Sequence, residues 1–136
     1  MTHLQTHTSR DEGRVTVFVT LFAALIVLLF ALVLDGGLAL GERNRALTLA
    51  QEAARAGAQE LNLAAYRAGE PTRLATRDAE QAAHEFLRAA GAQGTVSAND
   101  DTVTVTTELT YTFTLLPLGE RPVRGTASAS PYTTTD

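Results

Sequence analysis

Between Arg14 and Asp35 lie twenty consecutive residues, Val15 to Leu34, of which only Thr16 and Thr20 are polar. At 1.5 Å of rise per residue, a helix of that length spans about 30 Å, the hydrocarbon thickness of a bilayer. A threonine hydroxyl in such a helix can bond the carbonyl one turn earlier, so neither threonine is costly in lipid. The run therefore predicts a membrane-spanning helix, with the lipid bilayer as its first partner. A cleaved secretory signal is the competing reading. Its apolar core would be about 7–15 residues followed by a small-x-small site. Gly37-Leu38-Ala39 fits the site, but the run is too long and Asp35 stands between the two.

Flanking charge does not orient the helix: Arg10 and Arg14 precede it, and Arg43 and Arg45 follow it. Size does, because a short polar head is easily retained while a longer domain is translocated. The expectation is a cell-membrane protein with a single pass, residues 1–14 as a cytoplasmic head, 15–34 in the membrane and 35–136 as an extracytoplasmic domain. Ser9 and Glu12 have capping-box spacing, which would start the helix ahead of the membrane. Asp35-Gly36-Gly37 then reads as a joint where the helix breaks or bends, and Gly37 and Gly41 share the spacing that lets helices approach closely.

From Leu40 to Tyr66 the pattern is helical. Ala46, Ala50, Ala53, Gly57, Leu61 and Ala64 recur at three- and four-residue steps and mark one narrow face of small residues. Such a face buries little area but permits close contact, with this chain's own sheet or with another subunit. Gly69-Glu70-Pro71 ends that helix and Thr72 caps the next. Its apolar face is Ala75, Ala79, Ala82, Ala83, Phe86, Leu87 and Ala90, and Gly91 and Gly94 terminate it.

The period then changes to two. A short strand at Thr95-Val96-Ser97 turns at Asn99-Asp100-Asp101 into a long one. There Val103, Val105, Leu109, Tyr111, Phe113 and Leu115 alternate with threonines and Glu108, and Thr107 interrupts the apolar side. Pro117 to Pro122 reads as a loop, and Val123 to Ser130 as a third strand. The fold class is α+β: a transmembrane helix continuing into an amphipathic helix, a second helix, and a three-stranded antiparallel meander.

Chemistry is sparse. The absence of cysteine excludes disulfides and thiolate metal sites, and a net charge of −4 offers no basic footprint for nucleic acid. Glu80 and His84 are spaced i, i+4, with Glu85 adjacent, but no third ligand has matching spacing, and His3 and His7 lie in the head. A solvated helix face is the reading there. Asp35 reads as a surface charge that can pair with Arg43 two turns on, an interaction of little energetic consequence. No nucleophile elbow or phosphate-binding glycine loop is present. No catalytic residue, cofactor, metal or small-molecule substrate is expected.

An alanine-rich helix running outward from a membrane helix onto a small sheet is the plan of pilin-type subunits. Three stretches carry a closer likeness: Asp11-Glu12-Gly13-Arg14-Val15-Thr16-Val17-Phe18; Leu34-Asp35-Gly36-Gly37-Leu38-Ala39-Leu40-Gly41-Glu42-Arg43-Asn44-Arg45-Ala46 with Gln51 to Ala58; and Leu115-Leu116-Pro117-Leu118-Gly119 with Gly125-Thr126-Ala127-Ser128-Ala129. In these the sequence resembles the TadE/TadG-like proteins of Flp (tight adherence) pilus assembly, in their short actinobacterial form. The resemblance implies a minor-pilin-like or assembly role, with other pilus-assembly or pilin-like subunits as partners through the Ala46–Ala64 face. It also implies a prepilin-type cleavage between Gly13 and Arg14. Processed members carry a Glu five residues into the mature helix. The fifth residue after Gly13 is Phe18, so an uncleaved, membrane-held assembly factor is expected. The alternative is a membrane-tethered binding module unrelated to pili, using the sheet or the loop Leu116 to Pro122.

Overall fold

The computed structural model describes residues 9–60, 62–70 and 74–131, excepting the side chains of 9–12, 64 and 65. The α+β expectation holds. One helix, α1 (Ser9–Ala58), runs for 50 residues, roughly 75 Å at the helical rise. A five-residue helix α2 (Leu63–Arg67) and a longer one, α3 (Thr76–Ala89), precede the strands β1 (Gln93–Ala98), β2 (Val103–Thr112) and β3 (Glu120–Ala129). The sheet is antiparallel in the order β1-β2-β3, a meander.

No residue of the apolar run Val15–Leu34 of α1 is buried. Phe18, Val27 and Val33 are 70 %, 68 % and 70 % exposed. Among the described residues this is the one helix long and apolar enough to cross a membrane. Exposure of that much contiguous apolar surface to water would be strongly unfavourable. The Thr20 hydroxyl donates to the Thr16 carbonyl at 2.8 Å, as its position in an apolar helix requires. The helix break considered at Gly36-Gly37 is absent: α1 passes through both glycines, and a Cβ added at either would meet nothing within 4 Å.

Above Asp35 the helix becomes the spine of a small domain. Ala46, Ala50, Ala53 and Ala54 are fully buried against β2, β3 and α3, with Leu74, Ala79, Ala83, Leu87, Val103 and Val105 completing the core. Small residues are needed because the backbones nearly touch. A Cβ on Gly125 of β3 would collide with the α1 backbone at Ala46 and Leu47, and one on Gly57 would meet the Ala79 carbonyl at 2.7 Å. Gly125 near Ala46 and Gly57 near Val103 also fix the direction of the sheet. β2 runs back down α1 toward the apolar end, β3 returns, and the β2–β3 hairpin tip hangs at the foot of the domain.

Several boundaries differ from expectation. The helix expected through Tyr66 ends at Ala58. Its last turn tightens, with Gln59 and Glu60 donating three residues back, and the Glu60 carbonyl accepts from Ala75 at 2.9 Å instead of continuing the ladder. Tertiary bonding overrides helix propensity there. Thr72 falls outside the described residues, and the residue before α3 is Ala75, without a side-chain cap. Gly91 does terminate α3, with φ 67°: its N–H bonds Arg88 and that of Ala92 bonds Leu87, a Schellman pair. Gly94 lies inside β1, where a side chain would strike Leu87 and the Thr106 carbonyl. β2 stops at Thr112, short of Phe113 and Leu115, and β3 starts at Glu120. Pro122, expected in the loop, lies on β3 and pairs with Thr110 of β2; β3 is an edge strand, where a missing N–H is tolerated.

Candidate functional site at the foot of the domain

Asp35 is the residue most at odds with its sequence reading. It is 1 % exposed, and its Oδ2 accepts the backbone N–H groups of Leu115 at 2.9 Å and Leu116 at 2.7 Å. The pairing with Arg43 is therefore corrected: the carboxylate turns toward the hairpin tip, because two aligned amides satisfy it better than one flexible surface guanidinium. A strand that ended in Leu115, as the alternation suggested, would have directed those amides elsewhere. The chain leaves the ladder at Phe113, whose N–H bonds Gly119, and Leu118 donates to Leu116 across a tight turn. Gly119, with φ 65°, closes the loop.

Tyr111 completes the junction. Its ring is buried, stands edge-on to Phe113 with centroids 4.9 Å apart, and its hydroxyl has no hydrogen-bond partner. Burial raises the Tyr111 phenol above its usual pKa, and the negative charge of Asp35, close but short of good hydrogen-bond geometry, raises it further, with a smaller push from Glu42. Asp35 Oδ1 is likewise buried without a partner. The arrangement holds no nucleophile–base pair and no ligand set. It is a mechanical junction, fastening the hairpin tip to the helix one residue above the apolar run.

The other sequence-level candidates scatter. Gly13 and Arg14 lie within the first turns of α1, not in an extended segment. Ala46, Ala50, Ala53 and Gly57 do share one face, and the neighbour that covers it is this chain's own sheet and α3. Leu61 lies outside the described residues, and of Ala64 only its place in α2 is described. Glu80 is not simply solvated: its Oε1 accepts the Ala98 N–H at 3.2 Å, tying α3 to the end of β1. Among the described residues no group of three His, Asp or Glu side chains could hold a metal ion. The outer face of the sheet is a hydroxyl ladder, Thr102–Ser130, Thr104–Ser128 and Thr106–Thr126 at 2.8–3.1 Å, closed by the Glu108–Arg124 ion pair at 2.7 Å. These hydroxyls are engaged with one another across the strands.

Residues 13–60 match the sequence model of a family described as putative Flp pilus-assembly, TadE/G-like. The resemblance drawn from the sequence is thus shown for α1 from Gly13 onward and the two residues after it. No curated protein and no solved structure matches the chain.

Proposed function

We propose that this chain is a non-enzymatic, membrane-anchored, minor-pilin-like component of a Tad-type (Flp) pilus-assembly or secretion apparatus. The observation that carries the reading is the coincidence of the family match with the exposed apolar stretch of α1. Val15–Leu34 holds the protein in the bilayer, residues 1–14 stay cytoplasmic, and 35–136 stand on the outer side. Its partners are other pilus-assembly subunits. They meet a surface other than Ala46, Ala50 and Ala53, which the chain's own sheet and α3 cover. The membrane run offers no carboxylate five residues beyond Gly13, where Phe18 stands 70 % exposed. The chain therefore remains uncleaved and acts from the membrane instead of entering a filament shaft.

Intact-mass measurement on protein extracted from membranes tests this. A full-length mass, with co-purification of other pilus-assembly subunits, is the expected result. A species beginning at Arg14 would mean prepilin-type processing, and one beginning at Leu40 would mean an ordinary secreted domain. The first overturns the uncleaved form, and the second overturns the anchor itself.

A further inference from the structure

We propose that the β2–β3 hairpin tip, Leu115-Leu116-Pro117-Leu118, is a second membrane contact that enters the interfacial layer of the bilayer beside α1, clamped there by Asp35. The inference rests on the reading that Val15–Leu34 spans the membrane. Given that, depth follows from the covalent chain. Asp35 is the next residue, so it sits at the edge of the hydrocarbon core, and the tip is bonded directly to it. The tip cannot lie far above the membrane while those two bonds hold.

The surface chemistry at this end suits lipid and not water. Leu115 and Leu118 are 52 % and 48 % exposed, and Leu38 and Leu40 on the adjoining turn of α1 are each 61 % exposed. The outer face of the same sheet, by contrast, is threonine, serine and one ion pair. No charged residue occurs from Phe113 to Gly119. Charge resumes at Glu120 and Arg121 on β3 and at Glu42 and Arg43 on α1. The α1 pair stands seven and eight residues above Asp35, roughly 10–12 Å along the helix. An uncharged band with the Tyr111–Phe113 ring pair at its inner edge, bounded by charges about a headgroup layer higher, has the profile of an interfacial segment.

The same picture accounts for a carboxylate at this depth. An open Asp35 at the hydrocarbon boundary would be costly to desolvate, whereas the tip encloses it and supplies two amide donors. The hairpin satisfies the acid, and the acid holds the hairpin down.

The chain contains no tryptophan, so a single introduced indole is the sole reporter. Full-length L118W, V27W and S97W are reconstituted in phosphatidylcholine–phosphatidylglycerol vesicles containing doxyl-labelled lipid. L118W should emit at shorter wavelength than S97W and lose intensity to label near the headgroups. V27W should be quenched by label deep in the chains, and S97W by neither. Adding D35A to L118W should reduce its quenching. A water-like, unquenched L118W beside a quenched V27W overturns the hairpin contact while leaving the anchor standing. A blue-shifted but unquenched L118W places the tip against protein, a second copy or another subunit, and overturns it as well. Quenching of L118W unchanged by D35A overturns the clamp. An unquenched V27W instead refutes the membrane span on which the inference rests.

Discussion

Removing the Asp35 carboxylate should release the hairpin tip without unfolding the domain. Hydrogen bonds to a charged acceptor contribute about 1.5–3 kcal/mol each, so the two amides on Oδ2 represent about 3–6 kcal/mol before offsets. Two offsets apply. The buried carboxylate no longer has to be desolvated, and the freed Leu115 and Leu116 amides can reach water because the tip is at the surface. A net local loss of about 2–4 kcal/mol for D35A is the result. D35N keeps an oxygen of the same reach but loses the charge, and should lose about half as much.

Amide hydrogen exchange is the assay that isolates this effect. In D35A, exchange at Leu115 and Leu116 should accelerate by roughly a hundredfold, since about 1.4 kcal/mol is a factor of ten. Amides of Val103 and Val105 in the buried core should change far less, because they open only with the whole sheet. D35N should fall between D35A and the parent chain. If both tip amides in D35A stay as protected as before, Asp35 does not hold the hairpin, and the reasoning from geometry to energy fails.

Three further outcomes follow from the packing. Thr107 is fully buried with an unpartnered hydroxyl, so T107V, isosteric and suited to a strand, should raise stability by about 1 kcal/mol in denaturant titration. G125A forces β3 off the α1 backbone at Ala46–Leu47 and should cost about 3 kcal/mol, while G37A, in open space on a continuous helix, should add up to about 1 kcal/mol of helix stability by thermal melts followed by circular dichroism. Tyr111 keeps its proton longer folded than unfolded. Both states are neutral below the ordinary tyrosine value of about 10, and above it the unfolded chain ionises first. Stability should therefore fall as pH rises from there through the higher folded value, and Y111F should remove that part of the alkaline decline.

The elements that local pattern alone dictates were legible in the sequence: the twenty-residue apolar run, the Ala79–Ala83–Leu87 face of α3, and the alternation of Val103 and Val105 with threonines on β2. What pattern could not supply was the identity of partners distant in the chain. The small stripe at Ala46, Ala50 and Ala53 announced a close neighbour, but only Gly125, which must sit bare against Ala46–Leu47, identifies it as β3. Asp35 was misread for the same reason. Its partners lie eighty residues away on amides that carry no side-chain signature, and a carboxylate beside Gly-Gly looks like any surface charge. The one available hint was Leu115-Leu116-Pro117-Leu118, too apolar for a free turn, which marks a loop expected to touch something.

The continuity of α1 turns these contacts into a fixed relation between the apolar segment and the domain. The domain grips α1 at Ala46, Ala50, Ala53 and Gly57, and Asp35 grips the hairpin from the same helix, so the phase between Asp35 and Ala46 is set by the residues between them. One alanine inserted after Leu40 turns Asp35 by about 100° and moves it about 1.5 Å relative to the sheet, which takes Oδ2 away from both amides. One alanine inserted after Leu34 leaves that phase intact and rotates only the apolar segment. Hydrogen exchange at Leu115 and Leu116 should therefore accelerate in the first variant to the level of D35A and stay at the parent rate in the second. Equal protection in both would mean that Gly36, Gly37 and Gly41 absorb the twist and act as a joint after all. Acceleration only after Leu40 would show a rigid spine that fixes the register of the domain against the apolar segment.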